Sequence, residues 1–370
     1  MRFLTYLIVA FGLLACAGDD EPAGVSPVAP SWAEGYPKVA IGATSIDLNL
    51  KTSASAEIFY ILSDKPFDYS AEDVRFFSEY PDTSAIKSSG RIELNPNEEN
   101  RKSIKLLEED HEYFVYFVAR NRAGTAISPV QESQARTYVR QDTASYHSVA
   151  ENRTVNYLVY RPEEALKYPD AVYPVCFSFG DKASAASDIK PVNLIRDGSL
   201  AEFIYHRNDV PMIVISIQHD RNLWDLEMIA EGINHANETY PIDANRIFLT
   251  GYGEGAIACW NYAIANEQQV AAIVPVSGRG DISNACSLQN VDVWAFHNET
   301  DNTFASSNTK KMISAISKCS PQKELSGIYF PDAGHNCWKR VYNSSHADWS
   351  KSPGIEKFNI FSWMLGKSKE

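Results

Sequence analysis

Hydrophobic and polar residues alternate over short stretches between about Tyr36 and Tyr138. Ile46 to Leu50 has a period of two, which is typical of a half-buried strand. The run from Tyr113 to Ala119 is rich in aromatic and β-branched residues and fits the same alternation, and residues 121–124 then supply a turn. The pattern predicts an all-β domain over residues 35–138.

A different pattern begins near Ser148 and continues to the end of the chain. Segments with helical spacing, such as Leu226 to Tyr240 and Ala256 to Asn266, alternate with short apolar runs. Near-continuous apolar strands suit a parallel sheet that helices cover on both faces. We therefore predict an α/β domain over residues 151–370, after a linker at 139–150. The apolar runs lie at 157–160, 173–179, 212–217, 246–251, 271–277 and 291–297.

The first residues predict a targeting signal. Arg2 precedes an apolar run from Phe3 to Leu14, which is too short to span a bilayer comfortably. The run ends in the sequence LLAC, which resembles a bacterial lipobox. The resemblance implies removal of residues 1–15 and lipidation of Cys16, whereas the alternative is a plain secretory signal with an incidental cysteine. Residues 16–34 contain many proline, glycine and small residues and are expected to form a flexible tether.

Charge and composition narrow the range of partners. The chain of 370 residues carries a net charge of −13, so it would repel the phosphates of a nucleic acid. The acidic sequence AGDDEP that follows Cys16 is similar to the start of surface-exposed outer-membrane lipoproteins. We expect the protein in the cell envelope, held at the outer membrane by its lipid. The sequence contains neither a GxGxxG motif nor a phosphate loop, and we expect no cofactor.

Five cysteines follow Cys16, and an exported protein can form disulfides between them. Cys176 and Cys259 lie in apolar segments and are expected to be buried and inert. Cys286 can pair with either Cys319 or Cys337, and spacing alone does not decide between the two. No pair has the C-x-x-C spacing, so we expect no metal site.

The first domain resembles the fibronectin type III family. The resemblance implies a β-sandwich in which Tyr113 forms the tyrosine corner. The tryptophan that the family carries on an early strand is not evident, and Ile58 or Tyr60 would take its place. Such a domain can be a spacer or a binding module, and we favour the spacer. The matching residues are Leu107, Tyr113, Val115, Phe117, Ala119, Asn121 and Gly124.

The stretch RIFLTGYGEGAIACW, at residues 246–260, has the layout of a strand, a sharp turn and a helix. This stretch and several others resemble the α/β-hydrolase fold, in particular esterases and predicted peptidases near the polyhydroxybutyrate depolymerases and feruloyl esterases. The resemblance implies that His335 is the catalytic histidine and that Asp301 is the acid that orients it, with Glu299 as a weaker substitute. The other matching stretches are residues 240–247, 270–278, 294–301 and 333–338.

Gly253 occupies the position at which the resemblance implies a nucleophilic serine. Gly251 and Gly255 are the small neighbours that the tight turn needs, but Gly253 offers no atom that can attack a substrate. Ser277 and Ser178 follow other strands and do not lie on such a turn. Cys259 is expected to face the core, and nothing in the spacing shows that Glu254 activates a water molecule.

A second departure affects the expected oxyanion hole. Related esterases carry a His-Gly pair in an earlier loop, where this chain has Phe179 and Gly180. The backbone N–H of Glu254 should remain and could still hold a carbonyl or carboxylate oxygen.

These departures predict a surface-anchored, catalytically inactive homologue that binds an ester-decorated glycan or a similar ligand. Trp224 and Trp338 are candidates for stacking on sugar rings, although for either tryptophan taken alone ordinary packing is the favoured interpretation. One alternative is an active carboxylesterase or peptidase-like hydrolase that has an unrecognised nucleophile or whose serine has been altered. Another is a structural component of an outer-membrane complex.

Overall fold

The computed structural model describes residues 28–181, 196, 198–206, 208–219, 224–352 and 354–369. The predicted signal peptide, Cys16 and residues 17–27 of the predicted tether lie outside the described residues. Within the described ranges, no helix is long and apolar enough to cross a bilayer.

The chain divides into two compact units, and each unit combines several stretches of sequence. The described part of the first unit comprises residues 28–38, 49–101 and 113–134. The described part of the second unit comprises residues 39–48, 102–112 and the residues from 135 onward.

The N-terminal strands form two small sheets. One sheet has the order β1-β2-β5, and the other has the order β4-β3-β6-β7, in which β3 is antiparallel to both β4 and β6. These sheets are compatible with the predicted β-sandwich, while the fibronectin type III assignment stays a prediction. The strands are β1 (Lys38–Ile41), β2 (Ile46–Leu50), β3 (Ala56–Ser63), β4 (Ile86–Leu94), β5 (Asn100–Ile104), β6 (Glu112–Asn121) and β7 (Gln131–Arg136).

A helix, α1 (Ala71–Glu79), lies between β3 and β4 in the sequence. It begins with a capping box, in which the Ser70 hydroxyl accepts from the backbone N–H of Asp73 and the Asp73 carboxylate accepts from the N–H of Ser70. The Val74 side chain joins a core cluster with Phe59 and Tyr116. The amphipathic helix therefore adds apolar cover to the four-stranded sheet.

An eight-stranded sheet organises the second unit, in the order β15-β14-β13-β12-β10-β11-β9-β8. Strands β10 to β15 are parallel to their sheet neighbours within this group, and β8 and β9 are antiparallel. The predicted parallel sheet is therefore present. The strands are β8 (Gln141–Ser148), β9 (Arg153–Tyr160), β10 (Tyr173–Phe179), β11 (Ile213–Ile217), β12 (Ile242–Tyr252), β13 (Ala272–Val276), β14 (Asp292–Thr300) and β15 (Leu325–Ala333).

Helices follow most of these strands, as the alternating pattern predicts. The two segments with the clearest helical spacing form α4 and α5, and α5 starts directly after β12. The helices are α2 (Glu163–Lys167), α3 (Leu200–Tyr205), α4 (Leu226–Thr239), α5 (Glu254–Ala265), α6 (Ser307–Ser317), α7 (Trp338–Tyr342) and α8 (Ile360–Leu365), and 3-10 helices cover Ile282–Asn290 and Ala347–Lys351.

The large sheet is buried on both faces. Successive residues of β12 point to opposite sides, so Ile247 and Leu249 join one core cluster while Phe248 joins another. This is why the central strands read as continuous apolar runs rather than as alternating ones.

Residues 139–150, which the sequence predicts to be a linker, contain strand β8. This strand pairs with β9 along the whole length of β8. Its sequence is mostly polar, and only Gln141, Tyr146 and Ser148 of the strand are buried. An edge strand of this kind lacks the apolar run by which the buried strands are recognised.

The cysteines pair in one of the two expected ways. Cys286 and Cys319 form a disulfide, which leaves Cys337 as a buried thiol. The prediction that Cys176 and Cys259 are buried is confirmed. Burial raises the pKa of all three free thiols, to about 12 for Cys337, so they remain protonated at neutral pH.

Candidate active site

The turn between β12 and α5 has the conformation that the elbow position requires. Gly253 has φ +60° and ψ −118°, a backbone geometry that glycine adopts without a side-chain clash. Its N–H donates to the carbonyl oxygen of Val276, and its carbonyl accepts from the N–H of Ala256. The turn is therefore fixed both to the neighbouring strand and to the start of the helix.

The two flanking glycines let the helix approach the strands closely. A Cβ atom on Gly251 would overlap the carbonyl oxygen of Gly255, and a Cβ atom on Gly255 would overlap the carbonyl oxygen of Phe179. Both overlaps involve backbone atoms, which cannot rotate away. Any larger residue at either position would push α5 off the sheet.

Asp301 and His335 form a hydrogen-bonded pair. The Asp301 carboxylate lies 2.7 Å from Nδ1 of His335, and its other oxygen accepts from the backbone N–H groups of Thr303 and Phe304. The Asp301 side chain is fully buried, and that of His335 is 13% exposed. Glu299, the weaker substitute, pairs instead with Lys310 at 2.6 Å.

A second histidine, His297, also contacts the Asp301 carboxylate. Nε2 of His297 lies 3.3 Å from the Asp301 carboxylate and 2.8 Å from the carbonyl oxygen of Phe304, and Nδ1 contacts the Thr309 hydroxyl. Burial lowers the pKa of His297 below its usual value, so the ring is neutral near pH 7. This role is not predictable from the sequence, because His297 ends an apolar run and has the pattern of a core residue.

The second ring nitrogen of His335 faces the turn. Nε2 is buried and has no hydrogen-bond partner within the part of the chain that the structure describes. The ring of His335 lies 4.7 Å from that of Tyr252 and 5.5 Å from that of Phe304. These aromatic rings hold the imidazole in the orientation that a catalytic histidine would need.

The space that a serine side chain would take at position 253 is filled by Asp181. A Cβ atom on Gly253 would overlap Oδ1 of Asp181, with Cγ of the same carboxylate 2.6 Å away and Nε2 of His335 3.0 Å away. Oδ1 of Asp181 also accepts from the backbone N–H of Glu254 at 3.0 Å. The one N–H that the sequence assigns to the oxyanion hole is therefore engaged by the protein itself.

Asp181 lies directly after the Phe179-Gly180 pair of the expected oxyanion loop, but nothing in its sequence context indicates a role. An aspartate in such a loop resembles any other exposed polar residue. Its role depends on tertiary structure, because its hydrogen bond to Glu254 joins residues that are 73 positions apart.

Among the described residues, none of the other candidate nucleophiles forms a hydrogen bond with His335. Ser178 and Cys259 are buried within a strand and a helix, respectively. Ser277 is also buried, and its hydroxyl contacts the Cys337 thiol at 3.2 Å. Among the described residues, no hydroxyl or thiol takes the place that Gly253 leaves open.

The remaining predicted pocket residues are used in packing. Phe179 is buried in the core with its ring edge against Trp224, and the Trp224 indole N–H donates to the carbonyl oxygen of Gly180. Trp338 begins α7 and is only 8% exposed. The ring of Trp338 packs against that of Tyr252.

Comparisons with known proteins support the fold. No protein-family model matches the sequence, and no curated protein matches it. A thermostable esterase has a similar structure, with a TM-score of 0.51, 14% identity and coverage of 90% of this chain and 98% of the other. Because that alignment spans 90% of the chain, it extends beyond the large sheet into the N-terminal strands.

Two further solved structures are similar to shorter parts of the chain. A ferulic acid esterase has a TM-score of 0.42 and 14% identity, over 54% of this chain and 92% of that one. An S-formylglutathione hydrolase from Staphylococcus aureus has a TM-score of 0.43 and 13% identity, over 61% and 98%. The order of the eight-stranded sheet and the similarity to the thermostable esterase together support an α/β-hydrolase fold.

The contact between Asp181 and the turn predicts a measurable coupling. Gly253→Ala should lower the free energy of unfolding by about 2 kcal/mol, because it adds strain at positive φ and overlaps the carboxylate. In an Asp181→Ala background the same change should cost about 1 kcal/mol less, since only the strain remains. Urea unfolding of the four proteins in this double-mutant cycle measures both values, and additive effects would show that the two residues do not touch.

Proposed function

We propose that the protein is an esterase-type α/β-hydrolase that has lost serine-dependent cleavage and acts by binding. The main support for the proposal is a pair of differences from a serine esterase at the centre of the site. Gly253 removes the nucleophile, and the Asp181 carboxylate takes the N–H of Glu254. Neither acyl transfer to residue 253 nor stabilisation of an oxyanion by that N–H is available in this arrangement.

The expected decrease in the rate of ester hydrolysis supports a role other than turnover. Removing the serine from a comparable triad lowers turnover by about a million-fold. A residual rate about a thousand-fold above that in water can survive through binding and the oxyanion hole. Because Asp181 occupies the N–H of that hole, even this residual contribution is reduced.

The segments that precede the α/β domain suggest where in the cell binding takes place. The lipobox-like sequence at Cys16 supports a lipoprotein of the outer membrane, and the N-terminal domain, of fibronectin type III kind, serves as a spacer. The ligand in this proposal is a glycan or a related polymer at the cell surface.

Restoring the nucleophile tests the proposed loss of activity. Gly253→Ser alone should stay inactive toward p-nitrophenyl acetate, because the new side chain overlaps Asp181. Gly253→Ser with Asp181→Ala should raise turnover at least about a thousand-fold over the parent protein, since the hydroxyl, His335 and the N–H of Glu254 then act together.

His335→Ala added to the double variant is the matched control and should abolish the gain. If the parent protein already hydrolyses the ester, and does so in a manner that depends on His335, the proposed loss of activity is wrong.

Lipidation at Cys16 has a direct test. The full-length chain expressed in a Gram-negative host should incorporate labelled palmitate and sediment with outer membranes, whereas Cys16→Ser should do neither. A Cys16→Ser protein that still incorporates the label would contradict the lipobox assignment.

A second candidate function is favoured by the position of Asp181 itself. A carboxylate is a competent nucleophile, and this one lies where the serine would be, beside His335. In such a reaction a carboxylate oxygen would attack the ester carbonyl carbon and form a mixed anhydride as the C–O bond to the alcohol breaks. The departing alkoxide would take a proton from water. The hydroxide so formed, held beside His335, would attack the acyl carbon of the anhydride, release the carboxylic acid and regenerate the Asp181 carboxylate.

Mass spectrometry separates this candidate from the binding proposal. Rapidly quenched incubation with p-nitrophenyl acetate should give an acetylated peptide containing Asp181 if the carboxylate attacks, and Asp181→Asn should abolish both the adduct and the turnover. The binding proposal predicts no adduct and no effect of Asp181→Asn on the background rate.

A further inference from the structure

The second unit contains a cavity of about 890 Å³, and neither Gly253 nor the Asp301–His335 pair lines it. All of the described residues of its wall belong to the second unit. Pockets that hold small organic molecules commonly have this size. The described wall consists of residues 106–109, 139–141, 196 and 204–206.

Three large apolar side chains of this wall are exposed to solvent. Leu106 is 98% exposed, Val139 41% and Tyr205 57%. Leu106 also has φ +63°, a left-handed backbone conformation that is unfavourable for a leucine. Burial within the chain therefore does not explain an apolar residue at position 106, and an unfavourable backbone at an exposed site is a reason to look for a function.

An arginine without a counter-ion lies in the same wall. Nε of Arg196 is buried, and among the described residues it has no hydrogen-bond partner. Within the same part of the chain, no carboxylate oxygen lies within 4.0 Å of the Arg196 guanidinium. The guanidinium carbon lies 4.6 Å from the centre of the Tyr205 ring, and this contact holds the cation beside the apolar part of the wall.

The two carboxylates of the described wall do not neutralise Arg196. Glu109 accepts from the backbone N–H and from Nε of Arg140. Glu108 is exposed to solvent. Arg196 is therefore a cation whose partner a ligand would supply.

We propose that this cavity binds an organic carboxylate with an apolar body. The carboxylate pairs with Arg196, since a guanidinium can donate two parallel hydrogen bonds to a carboxylate. The body of the ligand covers the three exposed apolar side chains and removes them from water. This site is additional to the one at His335, so the proposal does not depend on the proposed function.

Three small molecules separate the charge from the apolar body. 4-Phenylbutyrate carries both, 4-phenylbutanamide carries the ring without the charge, and acetate carries the charge without the ring. Binding is followed on the full chain in dodecyl maltoside through the methyl resonances of Leu106 and Val139, with the exposed Val172, outside the cavity wall, as the reference. 4-Phenylbutyrate should bind at least about tenfold more tightly than either of the others, as expected for one charge-assisted pair added to apolar contact.

Arg196→Met tests the charge, because it keeps an unbranched side chain and removes the guanidinium. It should weaken 4-phenylbutyrate binding about tenfold and abolish the preference for the acid over the amide. Arg279→Met, which removes an exposed arginine outside the cavity wall, is the matched control for net charge and should leave both affinities unchanged.

Leu106→Asn tests the exposed leucine, because asparagine tolerates the left-handed backbone and presents no apolar surface. It should weaken 4-phenylbutyrate binding about fivefold, through the loss of apolar contact. The melting temperature should not fall, since Leu106 buries almost none of its surface within the chain. A lower melting temperature with unchanged binding would show that Leu106 is structural and would contradict its role in this site.

The remaining outcomes also decide the proposal. Equal binding of the acid and the amide, or an unchanged preference in Arg196→Met, overturns the pairing of a carboxylate with Arg196. If the Leu106 and Val139 methyl resonances do not move, or move no more than that of Val172, the cavity is not the binding site. None of these results changes the outcome of the esterase tests at Gly253, so failure of this proposal is distinguishable from failure of the proposed function.

Discussion

The hydrogen bond from the backbone N–H of Glu254 to Asp181 determines what the centre of this α/β-hydrolase domain can do. The N–H lies at the first residue of α5, where the helix has no internal acceptor for it and its dipole favours a negative charge. In an active esterase that positive end is kept for the oxygen of the reacting ester. Here a carboxylate of the same chain accepts from it, and the absence of a Cβ atom at Gly253 makes the approach possible.

The glycine at position 253 and the contact made by Asp181 therefore depend on each other. Glycine relieves the strain of a positive φ, by about 1 kcal/mol, but strain alone does not explain why a carboxylate fills the vacated space. The carboxylate gains a charge-assisted hydrogen bond, and the N–H is not left unpaired in a partly buried turn. Restoring a side chain at Gly253 would break this arrangement as well as supply a nucleophile.

The Asp301–His335 pair has a structural reason to persist without catalysis. The Asp301 side chain is fully buried, and its charge is balanced by hydrogen bonds from His335 and from the N–H groups of Thr303 and Phe304. Removing the imidazole would leave a buried carboxylate short of a donor, at a cost of about 1–3 kcal/mol. The presence of a histidine and an acid in this geometry is thus compatible with binding as well as with turnover.

Much of the larger domain is predictable from the sequence, because strands buried on both faces give continuous apolar runs and the elbow needs glycines on either side of its centre. The positions of Gly253, Asp301 and His335 relative to one another follow from that fold. Strand β8 is missed because its polar residues lie at an edge of the sheet. Asp181 is missed because only tertiary structure aims its carboxylate at a residue 73 positions away.

The backbone amide of Glu254 offers the most direct test of the account. Its proton resonance should lie far downfield and its exchange with deuterium should be slow in the parent protein, because the carboxylate accepts from it. Asp181→Ala should move the resonance upfield and speed the exchange, while Asp170→Asn, which removes an exposed carboxylate elsewhere in the second unit, should change neither. An amide of Glu254 that is indifferent to the loss of Asp181 would contradict the account.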